Sequence, residues 1–260
     1  MIFRRPAIPK SMALPVLSGI IARRILVNFR VDSAVVQALL PPGLRPKLHR
    51  GHALAGVCLI RLEQIRPRGL PALLGLSSEN AAHRLAVEWE QGGVLREGVF
   101  IPRRDTSSLL NTLAGGRLFP GEHHAAAFKV RDASGQISFE MASRDGLGSI
   151  QLRAQAAQAL PPASIFASLQ ESSAFFEAGS VGFSPRANSS RLDAMRLETQ
   201  HWQVQPLHVD QVKSSFFEDR KYFPPGSVAF DHALIMRQIA HEWHAAPEPF
   251  EPPAANRPQP

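Results

Sequence analysis

"HALAGVCLIRLEQI", His52 to Ile65, is apolar at odd and even positions alike from Ala53 to Ile60. A strand with one wet face alternates apolar and polar side chains. A run with both faces apolar belongs to a sheet covered on both sides, or to one curled into a barrel. Neighbouring segments point the same way. "RILVNFRV", Arg24 to Val31, predicts a strand with Ile25, Val27, Phe29 and Val31 on one face. "HRLAVEWE" and "VLREGVFIP" flank Gly92-Gly93 as a hairpin. "HHAAAFKV", "ISFEMAS" and "IQLRAQA" follow as three more strands, the first two joined by a turn at Ala133-Ser134-Gly135, and Met195 to Phe217 adds one or two. Helices are few and short. Asp32 caps "SAVVQALL", Asp105 caps "TSSLLNTLAG", Ser164 opens "SIFASLQESSAFFEAG", and "DHALIMRQIAHEWH" closes the chain as a helix. "RPRGLPALLGLSSEN" is broken by proline and glycine and predicts a loop. Strands without regular strand-helix alternation exclude a doubly wound parallel sheet. The expected fold is one α+β domain, strand-rich, with a curved antiparallel sheet or barrel and a few short helices.

The expected boundaries are an irregular lead-in over residues 1–20, one domain over 21–246, and a disordered tail over 247–260, where six prolines fall. With 44% hydrophobic and 20% charged residues the composition is that of a globular protein. No apolar run approaches the roughly 20 residues needed to cross a bilayer. The run from Val16 to Ile21 is cut by Arg23 and Arg24 and precedes no small-residue cleavage site, so the expected location is cytoplasmic. Residues 1–70 hold twelve Lys or Arg against Asp32 and Glu63, a local +10 in a chain of net charge +7. Those arginines are dispersed along strands with little aromatic interleaving, which argues for a solvated face or a small anion rather than nucleic acid.

Few motifs carry chemistry. Cys58 is the single cysteine, which excludes intrachain disulfides, and its apolar surroundings predict a packing role. "HEWH", His241 to His244, has one residue too few between Glu242 and His244 for a zinc-protease helix. No metal site and no cofactor motif is expected. "AGGRLFPG", Ala114 to Gly121, has the glycines of an anion-cradling loop but enters a strand, so it lacks a helix dipole. "GLSSENAAHR" puts Glu79, Asn80, His83 and Arg84 on a loop, either as an exposed polar stretch or as one wall of a pocket.

"AGGRLFPG", "LLPPGL", "CLIRLEQIRPRGLP", the Glu79-Asn80…Arg84 spacing, "GFSP", "SSFFEDRKYFPPGSVAFDHALIMR" and "HEW" occur in an order that resembles the acetoacetate decarboxylase superfamily. The closer resemblance is to a branch defined only by a domain of unknown function. It covers roughly residues 20–244. It implies a cone-like β-barrel with an internal pocket, in which Glu79 matches a glutamate of the decarboxylase loop. Those decarboxylases form a Schiff base on a lysine of lowered pKa. Aligned on "AGGR", that position is His124 here, and the five lysines, Lys10, Lys47, Lys129, Lys213 and Lys221, lie elsewhere. Imine chemistry is therefore not expected.

Strand alternation puts His124 on one face with Ala126, Phe128 and Val130, and His123 on the other with Lys129. His124 is accordingly the inward residue, as a satisfied core histidine or as a pocket acid or base. Two functions remain open. One is a small-molecule-binding pocket for a carbonyl- or carboxylate-bearing ligand, with Asn80, Arg84 and Arg117 as ligand contacts. The other is an enzyme on a small carbonyl substrate, with His124 as general acid or base and Glu79 orienting it.

Overall fold

The structure, a computed structural model, describes residues 16–113, 121–185 and 192–245. Arg117, the segment after residue 246 and most of the expected lead-in lie outside the described residues. Strand β1 (Leu17–Val31) starts inside that lead-in and is followed by helix α1 (Ser33–Leu39). Two short strands, β2 (Arg45–Pro46) and β3 (Leu48–His49), precede β4 (His52–Pro67). A 3-10 turn at Ala72–Leu74 leads into the expected hairpin, β5 (Leu76–Gln91) and β6 (Val94–Thr106). After helix α2 (Leu109–Leu113) come β7 (His123–Ala133), β8 (Gln136–Ser143) and β9 (Ser149–Ala156). Then follow helix α3 (Leu169–Glu177), β10 (Val181–Pro185), β11 (Leu192–Thr199), β12 (Gln205–Ser214), the short helix α4 (Ser215–Glu218) and β13 (Val228–Ala245).

These strands form one sheet that closes on itself twice. Its path runs β6-β7-β8-β9-β12-β13-β1-β4-β5, and β5 pairs back to β6. A second ring leaves the same wall through β10 and β11, because β6 also pairs β10 and β13 also pairs β11. The forks are spatially separate along each strand. β6 meets β10 at Val99 and Phe100 but β7 from Arg104 to Thr106, both in parallel. β13 meets β12 from Ala233 to Ile235 and β11 from His241 to Ala245.

The strands β13, β1, β4, β5 and β6 are thus a wall common to both rings, which explains their apolar content on both faces. Ile25, Val27, Phe29, Ala55, Val57 and Leu59 enter the larger core, while Leu26, Leu54, Cys58 and Leu62 enter a second one. Each fully buried Val, Leu or Ile contributes about 1.5–3 kcal/mol, so this wall gains on both sides.

Four expectations are corrected here. The closing helix is strand β13, held along its length by β1. Its run "ALIM" sends Ala233 and Ile235 to one core and Leu234 and Met236 to the other, so no two-residue period is visible to set against its helix-forming residues. The "GLSSENAAHR" loop is the first half of β5, paired with β4 from Leu76 onward. The long helix starts later than Ser164. Ser168 caps α3 by accepting from the Glu171 amide at 3.1 Å, while the Ser164 hydroxyl donates to Asp231 at 2.7 Å. Asp105 caps nothing. It is buried in β6, where Arg103 Nη2 and Nε donate to its two carboxylate oxygens at 2.8 and 3.0 Å.

Candidate functional site

On the smaller-core side of the wall lies a cavity of about 120 Å³. Ile21, Leu62, Ile101, Met195, Leu197 and Trp243 give it an apolar lining, into which Arg24, Arg84, Arg104, Cys58, Asn80, Asp105 and His123 are set. A second hollow, near the β7–β8 turn, is lined mainly by exposed residues such as Arg131, Arg153 and Gln155. Only the first gathers buried polar groups.

Each polar group has a strand-level reason to be there. Gly56 makes room beside Arg84, since a Cβ on it would stand 2.3 Å from the Val27 carbonyl oxygen and 3.4 Å from Arg84 Nη2. Arg84 Nη2 donates to Asn28 Oδ1, and its guanidinium stacks 4.7 Å from the Phe176 ring centre. Asn28 in turn lies 3.1 Å from His232 Nε2, which also accepts from Ser172 Oγ at 2.8 Å. His232 Nδ1 donates to Asp231 at 2.6 Å. This buried relay fixes Arg84 to β1, β13 and α3 at once. Arg24 Nη2 is 3.6 Å from Cys58 Sγ and its guanidinium lies over Trp202. Arg104 Nε donates to Ser184 Oγ at 3.1 Å. Asn80 is clamped between Thr106 Oγ1 at 2.8 Å and Ser78 Oγ at 2.9 Å. Gly121, at φ +86°, permits a backbone approach that a Cβ would block at 2.5 Å from Ser184 Cβ. That approach seats His123, whose Nδ1 donates to the Gly121 carbonyl at 3.2 Å.

Burial governs the charges. It lowers His123 to a pKa of about 4, with help from Arg104, so the ring is neutral and its acceptor nitrogen is Nε2. Burial also lowers Arg104 to about 10 and depresses Arg84. Burial pushes the Cys58 thiol up, but Arg24 and Arg84 outweigh it and leave the thiol below its usual value.

Of the residues expected from sequence, Asn80 and Arg84 line the cavity. Glu79 does not. It sits on the opposite face of β5, paired with Arg23 at 2.7 Å, and burial raises its carboxyl against that pairing. His124 is corrected as well. Its Nδ1 is 3.1 Å from Asp145 on the far side of β7, and His123 takes the place in the cavity wall. The alternation itself was sound, since His124 does share a face with Ala126 and Phe128, which join the larger core. The error was to assume one interior where the sheet has two.

Arg24, Arg104, Cys58 and His123 were missed. The available signal was their parity: Arg24 alternates with Ile25, and Cys58 with Val57 and Leu59, which marks a second inward face. Among the described residues no group of three or more His, Cys, Asp or Glu is placed to hold a metal, and no helix is long and apolar enough to cross a membrane.

The family model DUF2071, described as an uncharacterized conserved protein, matches residues 21–234. The chain belongs to the DUF2071 family. A search of curated proteins finds no match to this DUF2071 chain. Solved structures give its fold. An acetoacetate decarboxylase-like enzyme from Sphingomonas wittichii RW1 superposes with TM-score 0.59 at 16% identity, over 96% of this chain and 98% of that one. Acetoacetate decarboxylase from Legionella pneumophila subsp. pneumophila str. Philadelphia 1 gives 0.60 at 12% identity, over 97% and 95%. The enduracididine biosynthesis enzyme MppR complexed with pyruvate gives 0.53 at 14% identity, over 94% of each chain. The ring-like, strand-rich sheet of this DUF2071 protein is therefore an acetoacetate decarboxylase-like fold.

Proposed function

We propose that this DUF2071 protein binds a small carboxylate of 2-oxo acid size in the wall-bounded cavity, without forming an imine. One observation carries the reading. Three guanidiniums, of Arg24, Arg84 and Arg104, face a cavity whose only acid among the described residues, Asp105, is already neutralised by Arg103. Such a site is short of negative charge, and planar guanidinium forks match carboxylate geometry. The cavity's volume of about 120 Å³ is several times the roughly 10–15 Å³ that one water needs on the same measure. That suits a ligand of a handful of heavy atoms. The pyruvate complex of MppR, which shares the fold, supports the same ligand class. Among the described residues no lysine lines the cavity, and Lys47 is occupied by Glu97 at 2.6 Å.

An enzymatic reading has one observation in its favour. Neutral His123 presents Nε2 as an acceptor beside bound anion, the role first assigned to His124 with Glu79. Pyruvate and its uncharged amide, titrated by calorimetry, test the binding. Pyruvate should bind, pyruvamide should bind at least tenfold more weakly, and Arg24→Gln should abolish the difference. Equal affinity for the two would overturn the proposal. Borohydride reduction with acetoacetate should leave the protein mass unchanged.

A further inference from the structure

The mechanism of ligand capture above leaves one nucleophile unused. Cys58 lies on β4 with its sulfur in the cavity wall, and it is 4% exposed. It does not stand there alone. Arg84, also 4% exposed, lines the same cavity with a buried Nε that has no hydrogen-bond partner. Arg24, whose Nη2 is 3.6 Å from Sγ, has Nε and Nη1 in the same condition. Unsatisfied buried N–H groups carry the full desolvation penalty, so these guanidiniums are set up for an anion that no carboxylate or carbonyl among the described residues supplies. A carboxylate bound by them would bring its adjoining carbon to the sulfur.

We propose that Cys58 is the nucleophile of this cavity, adding reversibly to the carbonyl carbon of a 2-oxo carboxylate held by Arg24 and Arg84. The inference rests on the carboxylate reading. In the step a sulfur lone pair forms the S–C bond and the carbonyl π pair moves onto oxygen. The proton that left the thiol ends on that oxygen, giving a hemithioketal. Nothing is oxidised or reduced, and no co-reactant is consumed. The two guanidiniums serve both partners. They lower the pKa of the thiol, which raises its share of thiolate, the reactive form, and they orient the ligand against it. Burial alone would raise the thiol's pKa; the neighbouring positive charge turns the shift downward.

The chain has one cysteine, so the alkylation that is lost in Cys58→Ser reports Cys58. Native full-length protein is treated with iodoacetate or with iodoacetamide, and intact mass is followed in time. The sulfur displaces iodide from either reagent, but only the first carries a carboxylate. Iodoacetate should react at least tenfold faster than iodoacetamide on the native protein. That preference should vanish in urea and in Arg24→Gln, and pyruvate should slow the reaction. A native thiol inert to both reagents overturns the proposal, and so does fast reaction with no preference for the charged one. Calorimetry on Cys58→Ser separates the two readings. Pyruvate binding that persists there beside an inert wild-type thiol leaves the carboxylate site standing and removes only the nucleophile. Loss of both removes the site itself.

Discussion

His123 and His124 are neighbours in sequence with a sheet between their rings. His124 meets Asp145, which keeps Ser143 at 2.6 Å, the Leu147 amide at 2.9 Å and Arg103 when the imidazole is removed. A partly exposed pair of this kind contributes about 0–1 kcal/mol. His124→Ala should therefore shift the unfolding midpoint little and leave pyruvate affinity unchanged. His123→Ala should weaken pyruvate binding severalfold, because it removes part of the cavity wall and lets water screen the guanidiniums. Paired urea unfolding and calorimetry on the two variants check this. A ligand defect in His124→Ala with a silent His123→Ala would place the site on the other side of β7.

At the scale of elements, what was legible in the sequence was whatever depends on local pattern. The β1 face of Ile25, Val27, Phe29 and Val31 was readable, as were the β5–β6 hairpin around Gly92-Gly93 and the β7–β8 turn, where Ser134 and Gly135 both adopt positive φ. The both-faced run of β4 announced a covered wall. What escaped was set by partners distant in sequence. β13 carries helix formers but is claimed by β1 on one edge and by β12 and then β11 on the other. Its change of partner falls around Gln238, an exposed residue at φ +53° between the two pairings. A non-glycine residue there costs about 1–2 kcal/mol, and β-branching adds to it. Gln238→Gly should thus be neutral or stabilising, and Gln238→Val should destabilise by about 1–2 kcal/mol. Urea midpoints decide it. Equal values for the two variants would mean that the left-handed residue is not what lets β13 fork. The candidate site was half legible for the same reason: Asn80 and Arg84 stand out in their spacing, but which wall face holds a cavity depends on where β13 and β6 divide.

Over the whole molecule, closing one sheet into two rings buries histidines in both. His83 packs on Phe216 and Phe217 beside the larger core, while His123 lines the cavity on the smaller-core side and His241 packs on Trp243. Burial lowers His83 to a pKa of about 3, and His123 and His241 to about 4. Above the unfolded value near 6.5 both states hold these rings neutral, and they add nothing to the pH dependence. As pH falls below it, the unfolded chain takes up protons that the folded chain refuses until about pH 4. Stability present above pH 6.5 is therefore lost progressively on the way down, at about 1.4 kcal/mol per unit per group. By pH 5 each ring would cost on the order of 2 kcal/mol. Glu79 works against this trend, because its carboxyl is raised by burial and gains protons earlier in the fold than in the unfolded chain. Three histidines against one carboxyl leave the slope downward. The Tm should fall steeply between pH 6.5 and 5, and His241→Phe, whose ring would keep the edge-on contact that His241 makes with Trp243 at 4.3 Å, should remove about a third of that fall. A flat Tm over this interval would mean that water reaches all three rings, and that the second ring of strands does not close around His123 and His241.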